Sequence, residues 1–428
     1  MNIFEKHESA VRGYCRSFPV VFDRAEGEIM TTEDGTEYLD FFSGAGALSY
    51  GHNHPAMRDK LVDYIQSGRI THALDMYTVA KRDFLGAFED IILKPRKMDY
   101  RVQFCGPTGT NAVEAAMKLA RKVTGREQIV CFTNGFHGMT LGALSVTGNS
   151  FKRAGAGIPL GHTTTMPFCG YVEGEMDSLN YFEQLLSDSS SGIDKPAAVI
   201  LETVQAEGGV NVASREWMER LNKLCKQHEI LLIVDDIQVG CGRTGNFFSF
   251  EDWDVDPDMI TLSKSLSGYG LPMAIVLLRP EHDQWAPGEH NGTFRGFNPG
   301  FVTAVAALET FWKDDKLTSK VVAQSKIVEK RLGQIAERFP KLMAEVRGRG
   351  FIQGVEFHAD GEFAEKVAHE CFNRGLIIET AGSEDQVLKL LIPLIISEEN
   401  LNRGLDIIEQ AVAALAEGSG DSESRNVA

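Results

Sequence analysis

Short apolar runs alternate with helical patterns between about residues 100 and 305 of the chain. Four of these runs are buried-strand candidates, at residues 128–133, 197–202, 230–235 and 259–263. Between them, residues 112–123 and 215–228 carry apolar side chains at the spacing of an amphipathic helix. Strands that alternate with helices are typical of an α/β domain, and we predict a mixed, mostly parallel sheet in this region.

The two ends of the chain have a different pattern. Long helices are predicted over residues 302–312 and 317–339, strands near 352–357 and 388–391, and a closing helix near 398–415. Near the N-terminus, residues 29–40 indicate strands joined at Asp34-Gly35, a hairpin-turn dipeptide. We therefore predict a smaller α/β domain from residues 1–60 and 310–428, and a large domain from 61–309. The Ser-, Gly- and acid-rich tail, 417–428, is expected to be frayed.

The composition narrows the range of partners. The 428 residues include 43 basic and 60 acidic side chains, a formal net charge of −17, which argues against nucleic acid or an anionic membrane as a partner. Seven cysteines show no CxxC spacing, so we predict reduced thiols in the core and no metal site. No apolar run has the length of a signal peptide core or a membrane span, and we expect a cytoplasmic enzyme.

Two predicted strands are followed or ended by residues whose side chains suit catalysis or ligand binding. Ligands of α/β sheets gather beyond the carboxyl ends of the strands. Asp235 and Asp236 end one strand, where an isolated buried carboxylate is costly. Either they meet a cationic heterocycle, or they cap a helix or form a salt bridge. Lys264 follows the next strand, and a desolvated lysine there is a nucleophile for carbonyls, although most lysines are solvated surface groups.

Two further segments fit the same kind of ligand. Residues 106–111 (GPTGTN) precede a predicted helix, where exposed amides either form a phosphate cradle or belong to an ordinary cap. Phe136 follows a strand and either stacks on a flat ring or packs in the core. His137 is interpreted as a hydrogen-bonding neighbour rather than a proton carrier. Cradle, aromatic ring, acidic strand end and lysine occur in that order, and pyridoxal 5'-phosphate (PLP) needs all four.

Several motifs together resemble the class III (ornithine/4-aminobutyrate-type) aminotransferases. The segment 232–245, LIVDDIQVGCGRTG, is similar to the DEVQxGxGRTG signature of that family. The resemblance extends to GHNHP at 51–55, ETVQAEGG at 202–209, TLSK at 261–264 and GTF at 292–294. It spans nearly the whole chain and implies the type I fold of PLP-dependent transferases.

The resemblance also implies a role for each motif residue. Lys264 would form the Schiff base and transfer the proton, and Asp235 would pair with the pyridine nitrogen. Gln238 would lie near the phenolic oxygen, and Phe136 would stack on the ring. The phosphate would be held by Thr108, Gly109 and Thr110, together with Thr293 of a neighbouring subunit. We therefore expect a homodimer, or a larger homo-oligomer, with shared active sites.

Departures from the family pattern bear on the substrate. Many glutamate-using members carry FHGR, whereas this chain has Met139 in place of the arginine. A second carboxylate-binding arginine is replaced by Lys389, which lacks the bidentate fork. Glu207 matches the glutamate that pairs with that arginine and releases it when a dicarboxylate binds, and here it is expected to pair with Lys389. Lys152, Arg153 and Arg295 are candidates for the missing charge at 139.

These departures, together with the segments GPTGTNAVEAA, DDIQxGCGRTG, SKSLSGYGLP and NGTFRGFN, resemble one subgroup of the family. Its members transfer the amino group of L-glutamate to L-aspartate 4-semialdehyde in ectoine biosynthesis, so an amino acid and an aldehyde are the expected small-molecule substrates. Potassium is an activator that the resemblance implies and no motif identifies. Ornithine, acetylornithine or 4-aminobutyrate aminotransferases are the alternatives within the family, followed by an aminomutase or racemase. A PLP-binding regulator is the non-enzyme alternative, and neither chain end has the charge of a DNA-binding domain.

Overall fold

Strands and helices alternate along most of the chain. The computed structural model describes residues 2–172, 177–358 and 361–425. The strands are β1 (Phe22–Glu26), β2 (Ile29–Thr32), β3 (Glu37–Asp40), β4 (Arg101–Phe104), β5 (Ile129–Phe132), β6 (Thr163–Met166), β7 (Ala198–Leu201), β8 (Val204–Gln205), β9 (Asn211–Val212), β10 (Leu231–Asp235), β11 (Met259–Leu262), β12 (Ile275–Leu278), β13 (Met343–Arg349), β14 (Ile352–Phe357), β15 (Leu376–Ile377), β16 (Glu379–Ala381) and β17 (Val387–Leu391).

The helices connect these strands and close the chain. They are α1 (Ile3–His7), α2 (Tyr14–Ser17), α3 (Ser43–Gly46), α4 (Pro55–Gln66), α5 (Val79–Phe88), α6 (Gly109–Thr124), α7 (Leu141–Ser145), α8 (Ser150–Ala154), α9 (Ser178–Ser187), α10 (Arg215–Gln227), α11 (Asn298–Phe311), α12 (Lys316–Arg338), α13 (Gly361–Asn373) and α14 (Glu398–Arg425). Short 3-10 helices lie at Lys94–Arg96, Lys264–Ser267, Pro280–His282 and Thr293–Gly296, and a π-helix lies at Glu89–Leu93.

A seven-stranded sheet with the order β4-β12-β11-β10-β7-β5-β6 forms the centre of the protein. The five strands β11, β10, β7, β5 and β6 run parallel to one another, whereas β12 runs antiparallel to both β11 and β4. All residues of β5, β7, β10, β11 and β12 are buried, as expected for a sheet covered on both faces. The predicted mixed, mostly parallel sheet is confirmed, and the four predicted strands agree with β5, β7, β10 and β11 to within one residue.

Helix α6 illustrates how the sheet is covered. It buries Ala112, Ala115, Ala116 and Leu119, which share one face at helical spacing. Alanine side chains are short, so the helix axis lies close to the sheet. The N-terminal end of the helix therefore stands beside the carboxyl ends of the parallel strands, where ligands of such sheets bind.

The two ends of the chain meet in a second sheet with the order β1-β2-β3-β15. Strands β2 and β3 form the predicted antiparallel hairpin, and Gly35 in its turn has a φ of +88°. Strand β15, from the C-terminal half, pairs in parallel with β3 and sets Leu376 opposite Leu39. A third sheet, β13-β14-β17-β16, carries Lys389 on β17. The domain boundaries at residues 60 and 309 stay predictions.

Two predictions from composition need correction. The last helix runs to Arg425, ten residues beyond the predicted end at residue 415, and fraying of residues 417–425 stays a prediction. Extending a helix costs far less than starting one, so the polar tail continues it. Residues 426–428 lie outside the described residues. All seven cysteines are free, but Cys15 is exposed and Cys169 half-buried, so only five are the expected core thiols. Among the described helices, none combines the length and apolar character that crossing a membrane requires.

Candidate active site

Lys264 is the first residue of the tight turn that follows the parallel strand β11. Its backbone has a φ of +45°, a left-handed conformation that side chains other than glycine adopt at a cost of about 1–3 kcal/mol. The next residue secures this turn, because Ser265 Oγ donates to Gly46 O at 2.6 Å and lies 2.7 Å from Ser49 Oγ. The strained backbone therefore aims one lysine beyond the strand end.

The Lys264 ammonium is set up to lose its proton. Burial lowers the pKa of Lys264, and the charge of Lys389 lowers it further, while Glu207 opposes the shift. In the part of the chain that the structure describes, no hydrogen bond or ion pair holds its Nζ atom. A larger neutral fraction makes Lys264 a better nucleophile and proton acceptor.

Asp235 ends strand β10, next to β11 in the sheet, and is 3% exposed. His137 Nδ1 lies 2.7 Å from its Oδ2 atom, and Thr261 Oγ1 donates to its Oδ1 atom at 3.0 Å. Burial lowers the pKa of His137, but the hydrogen bond and charge of Asp235, with the charge of Glu202, outweigh burial and raise it. His137 is thus a hydrogen-bonding neighbour of Asp235, as interpreted from the sequence, and holds the carboxylate in place.

The predicted phosphate cradle lies at the start of helix α6. Thr108 is its N-cap residue, yet Thr108 Oγ1 donates to Asn111 Oδ1 at 2.8 Å instead of capping a backbone amide. The amides of Gly109 and Thr110 accordingly have no partner among the described residues. A Cβ atom on Gly109 would stand 3.0 Å from Ile237 Cδ1, so glycine lets the cradle approach the end of β10. Free amides at the start of a 16-residue helix suit a phosphate.

Phe136 lies in the turn that joins these parts. Its backbone amide donates to Glu202 Oε2 at 3.0 Å, and Lys152 Nζ lies 4.5 Å from the centre of its ring. Two residues later, Gly138 has a φ of +133°, and a Cβ atom there would stand 2.4 Å from Thr110 Oγ1. Glycine at 138 therefore permits the turn to pack against the cradle.

Gln238, Glu207 and Lys389 form a polar cluster from three separate elements. Gln238 Nε2 donates to Glu207 Oε1 at 3.0 Å and to Ala45 O at 2.8 Å. The expected ion pair is present, because Lys389 Nζ lies 2.7 Å from Glu207 Oε1. Burial raises the pKa of Glu207, but the charges of Lys389 and Lys264 and the hydrogen bonds of Lys389 and Gln238 bring it to about 2. Opposing charges around the fully buried Lys389 raise its pKa, although burial lowers it.

Two carboxylates near this site were not assigned from the sequence. Glu379 on β16 lies opposite Lys389 in the strand register, and its Oε1 atom is 3.0 Å from Lys389 Nζ. Glu202 follows β7, and burial raises its pKa to about 8. Its position at the end of a strand adjacent to β10 was a signal that could have identified it. For Glu379 the signal was weaker, because only the pairing of β16 with β17 brings it to Lys389.

The three candidates for the positive charge that is missing at position 139 differ in whether their side chains already have polar partners. Arg153 Nη1 donates to the carbonyls of Leu144, Ser145 and Thr147, so its guanidinium supports the backbone. Arg295 is paired with Asp75 and also donates to His290 O at 3.2 Å. The ammonium of Lys152, over Phe136, has no carboxylate partner among the described residues.

Thr293 begins a short 3-10 helix and is exposed. Its neighbour Gly292 lies close to the cradle of the same chain, because a Cβ atom there would stand 3.6 Å from Gly106 N. Its contact with a neighbouring subunit stays a prediction. Of the described residues, no group of three or more His, Cys, Asp or Glu side chains is arranged to hold a metal ion.

The residues present fit PLP. Unpaired amides stand at the cradle, an unpaired ammonium at Lys264, and a fixed carboxylate at Asp235. Gln238 Oε1 is buried without a hydrogen-bond partner among the described residues, an orphan that a bound polar molecule would satisfy. Thr108–Thr110 would hold the phosphate, Asp235 the pyridine nitrogen, and Lys264 the reactive carbon.

Comparison with known proteins agrees with this geometry. The family profile "Aminotransferase class-III" matches residues 12–412. The chain belongs to the class III aminotransferases. A diaminobutyrate–2-oxoglutarate transaminase of Nocardia farcinica is 57% identical over 98% of this chain and 95% of its own length. One of Halalkalibacterium halodurans is also 57% identical, over 97% of each chain.

Solved aminotransferase structures have the same fold. The ornithine aminotransferase of Toxoplasma gondii ME49 superposes with a TM-score of 0.84 at 26% identity, covering 97% of this chain and 94% of that one. The acetylornithine aminotransferase of Elizabethkingia anophelis gives a TM-score of 0.77 at 27% identity, covering 96% and 97%. The predicted fold class is confirmed, and this class III aminotransferase is a PLP-dependent enzyme.

Proposed function

We propose that this enzyme transfers the amino group of L-glutamate to L-aspartate 4-semialdehyde, giving L-2,4-diaminobutyrate and 2-oxoglutarate. The observation that carries the proposal is the sequence identity of 54–57%, over nearly the whole chain, to proteins named diaminobutyrate–2-oxoglutarate transaminase. The site agrees with it, because Met139 replaces the usual arginine and Lys389 takes the place of the second one. The product would serve ectoine biosynthesis and osmoadaptation, and the enzyme would work in the cytoplasm.

Each of the site residues has a separate role in the proposed reaction. When bound, PLP supplies an electron sink for the bond that breaks at the amino-bearing carbon. Asp235, fixed by His137 and Thr261, would keep a proton on the pyridine nitrogen. Lys264 Nζ, with its lowered pKa, would accept the proton from the α-carbon of the donor and deliver it to the cofactor carbon that receives the amino group. The amides of Gly109 and Thr110 would hold the phosphate.

The substrate end of the site is formed by Lys389 and Glu207. A glutamate donor carries a carboxylate on its reacting carbon, and Lys389 would bind it after Glu207 swings away. The acceptor aldehyde carries no carboxylate on its reacting carbon, and Glu207 then returns to Lys389 at the observed 2.7 Å. Both substrates use one site in turn, so we expect ping-pong order with parallel lines in a two-substrate plot.

A substrate panel tests the proposal. Production of 2-oxoglutarate from L-glutamate is measured with L-aspartate 4-semialdehyde as acceptor, and the reverse reaction with diaminobutyrate, ornithine, acetylornithine or 4-aminobutyrate as donor. We expect diaminobutyrate to exceed the others by at least about tenfold in kcat/KM. The Lys264→Ala variant is the control and should lose the visible absorption of the cofactor and nearly all turnover. Equal or higher kcat/KM with ornithine or 4-aminobutyrate would reject this substrate assignment.

We also propose a homodimer in which Thr293 completes the neighbouring site. Exposed apolar side chains surround this residue: Leu74, Met76, Tyr77 and Phe294 are 41%, 60%, 101% and 60% exposed. His72 connects their two segments through the Thr293 carbonyl. An exposed apolar patch of this kind is typical of a protein interface.

Mixing two inactive variants tests the shared site. Lys264→Ala and Thr293→Ala chains are refolded together at equal amounts, and mixed dimers restore one complete site each. Activity should reach about a quarter of wild type, above the sum of the separate variants. If the mixture shows no gain although light scattering confirms dimers, Thr293 does not act across the interface. Assays with potassium or sodium chloride would show whether potassium is an activator.

A further inference from the structure

Lys389 is held by two carboxylates rather than one. Its side chain is 0% exposed, and its Nζ atom lies 2.7 Å from Glu207 Oε1 and 3.0 Å from Glu379 Oε1. We call these three residues the Lys389 cluster. The contact with Glu207 is a hydrogen bond, whereas the contact with Glu379 is an ion pair in which Glu379 Oε1 has no hydrogen-bond partner among the described residues.

The two carboxylates are anchored differently. Glu379 lies on β16, directly opposite Lys389 on the antiparallel strand β17. Glu207 lies in the turn after β8, and its side chain is held by Gln238 and Lys389. Rotation of one side chain therefore removes Glu207 from Lys389. The pairing of the two strands keeps the backbone of Glu379 opposite that of Lys389.

The charge of the cluster has a consequence for substrate binding. The α-carboxylate of the donor would take the place of Glu207 on Lys389, and Glu207, which Gln238 also holds, would remain beside them, so that three carboxylates would share one ammonium. Buried like charges cannot all remain ionised, and one carboxylate takes up a proton. The groups facing Glu379 are Lys389, Glu207, Lys264 and the Tyr14 phenol.

Glu379 is the carboxylate most ready to accept that proton. Burial raises its pKa to about 7, and Glu207 adds to the shift although Lys389 and Lys264 oppose it. Glu207 has a pKa of about 2 while it is paired with Lys389, so it carries no proton before the donor binds. Burial and the two carboxylates raise the pKa of Tyr14 to about 12, so its phenol remains neutral.

We propose that Glu379 is a positioning and specificity-determining residue that takes up one proton when the α-carboxylate of the donor replaces Glu207 on Lys389. The proton comes from solvent and forms an O–H bond on Glu379, and no other bond changes. This inference rests on the proposed function, because it needs a donor with a carboxylate on its reacting carbon. Substrates without that carboxylate leave Glu207 in place and take up no proton.

The coupling sets the sign of the pH dependence. A ligand that binds together with a proton binds more weakly as the pH rises above the pKa of the free group. The dissociation constant for a dicarboxylate should therefore increase roughly tenfold per pH unit above pH 7. Diaminobutyrate, which reacts at a carbon without a carboxylate, should not share this dependence.

Calorimetric titration of the PLP-loaded enzyme with glutarate tests the proposal. Glutarate has two carboxylates but no amine or ketone, so it binds without reacting. Titration at pH 8 in two buffers of different ionisation enthalpy counts the protons. Wild type should take up about one proton per glutarate bound, and Glu379→Gln should take up none. The dissociation constant of glutarate from Glu379→Gln should change less than about twofold between pH 7 and 8.5.

Matched variants separate this role from a structural one. Glu384→Gln removes an exposed carboxylate from the turn between β16 and β17 and should behave as wild type. Glu379→Asp keeps a carboxylate and should keep the proton uptake. The visible absorption of the cofactor confirms that each variant is folded and loaded, and steady-state assays should show the Glu379→Gln effect in the pH profile of the glutamate KM rather than in kcat.

Several results would overturn the inference. These are glutarate binding to wild type without proton uptake, equal uptake in Glu379→Gln, or no glutarate binding at all. Failure of the proposed function is distinguishable, because it appears in the substrate panel. An enzyme that prefers ornithine but takes up a proton with glutarate would refute the reaction and retain the role of Glu379.

Discussion

Replacing Lys389 with methionine should destabilise the protein in a pH-dependent way. The side chains are similar in length, but the variant leaves Glu207 and Glu379 buried without their cation. The pKa of Glu207 is about 2 instead of 4.5. Each pKa unit corresponds to about 1.4 kcal/mol, so the ionised form of Glu207 gains about 3 kcal/mol in the folded protein. Breaking a buried ion pair typically costs about 3–5 kcal/mol, which agrees with that value.

Thermal unfolding at several pH values measures this loss. A chain of 428 residues has an unfolding entropy of about 0.9 kcal/mol/K, so a loss of 3–5 kcal/mol lowers the Tm by about 3–5 °C. In wild type the lowered pKa of Glu207 stabilises the fold above pH 4.5, and this contribution disappears as the pH falls toward 2. In the variant both carboxylates have raised pKa values, so the penalty grows with pH. The Tm difference should be largest at pH 8 and roughly half as large at pH 5.

An exposed lysine provides the control. Lys366 pairs with Glu362 at 3.2 Å, but the two side chains are 60% and 74% exposed. Lys366→Met should cost less than about 0.5 kcal/mol at every pH, because solvent screens such pairs. A Lys389→Met variant with the wild-type Tm at pH 8 would refute the reasoning, since Lys389 would then not be the counter-ion of the two carboxylates.

Three other substitutions probe the site and its support. Asp235→Asn keeps the size of the side chain but removes its charge, so kcat in steady-state assays should fall at least about 100-fold; a kcat within tenfold of wild type would contradict the role of Asp235. Glu202 has a pKa raised by burial to about 8, so its ionisation destabilises the fold as the pH rises from 4.5 through 8. The Tm of Glu202→Gln, relative to wild type, should therefore increase by about 3 °C between pH 6 and 9, and a constant difference would count against it. Gly268→Ala should cost more than about 2 kcal/mol in unfolding, because its Cβ would stand 2.5 Å from Ala307 Cβ at a φ of +78°. Gly125→Ala, at a φ of +66° in open space, is the control at about 1 kcal/mol, and equal costs would refute the packing argument.

Much of the fold and part of the site could be predicted from local patterns. Strands β5, β7, β10 and β11 are continuous apolar runs because both faces of a covered sheet are buried, so their ends were placed within one residue. The same strand ends place Asp235 and Lys264 on neighbouring strands of the sheet. The exposed amides of the cradle could be predicted because they belong to the first turn of helix α6. These features depend on residues close together in the chain, where periodicity and turn chemistry are informative.

The antiparallel direction of β12 could not be predicted in this way. Its sequence, IVLL, is as apolar as those of the parallel strands β7 and β10. The direction of a strand is decided by how the chain returns to the sheet, which its own sequence does not show. The end of α14 was also misplaced, because composition indicates where a helix is weak but not where an established helix stops.

The sequence by itself determined that this protein builds an α/β sheet with a lysine, a carboxylate and a helix start at one edge. The tertiary structure decided which charges meet there. Glu379 reaches Lys389 because β16 pairs with β17, and His137 reaches Asp235 across 98 residues of chain. The energy of a buried charge depends on its nearest counter-charges in space, and sequence spacing contains that information only within a single element.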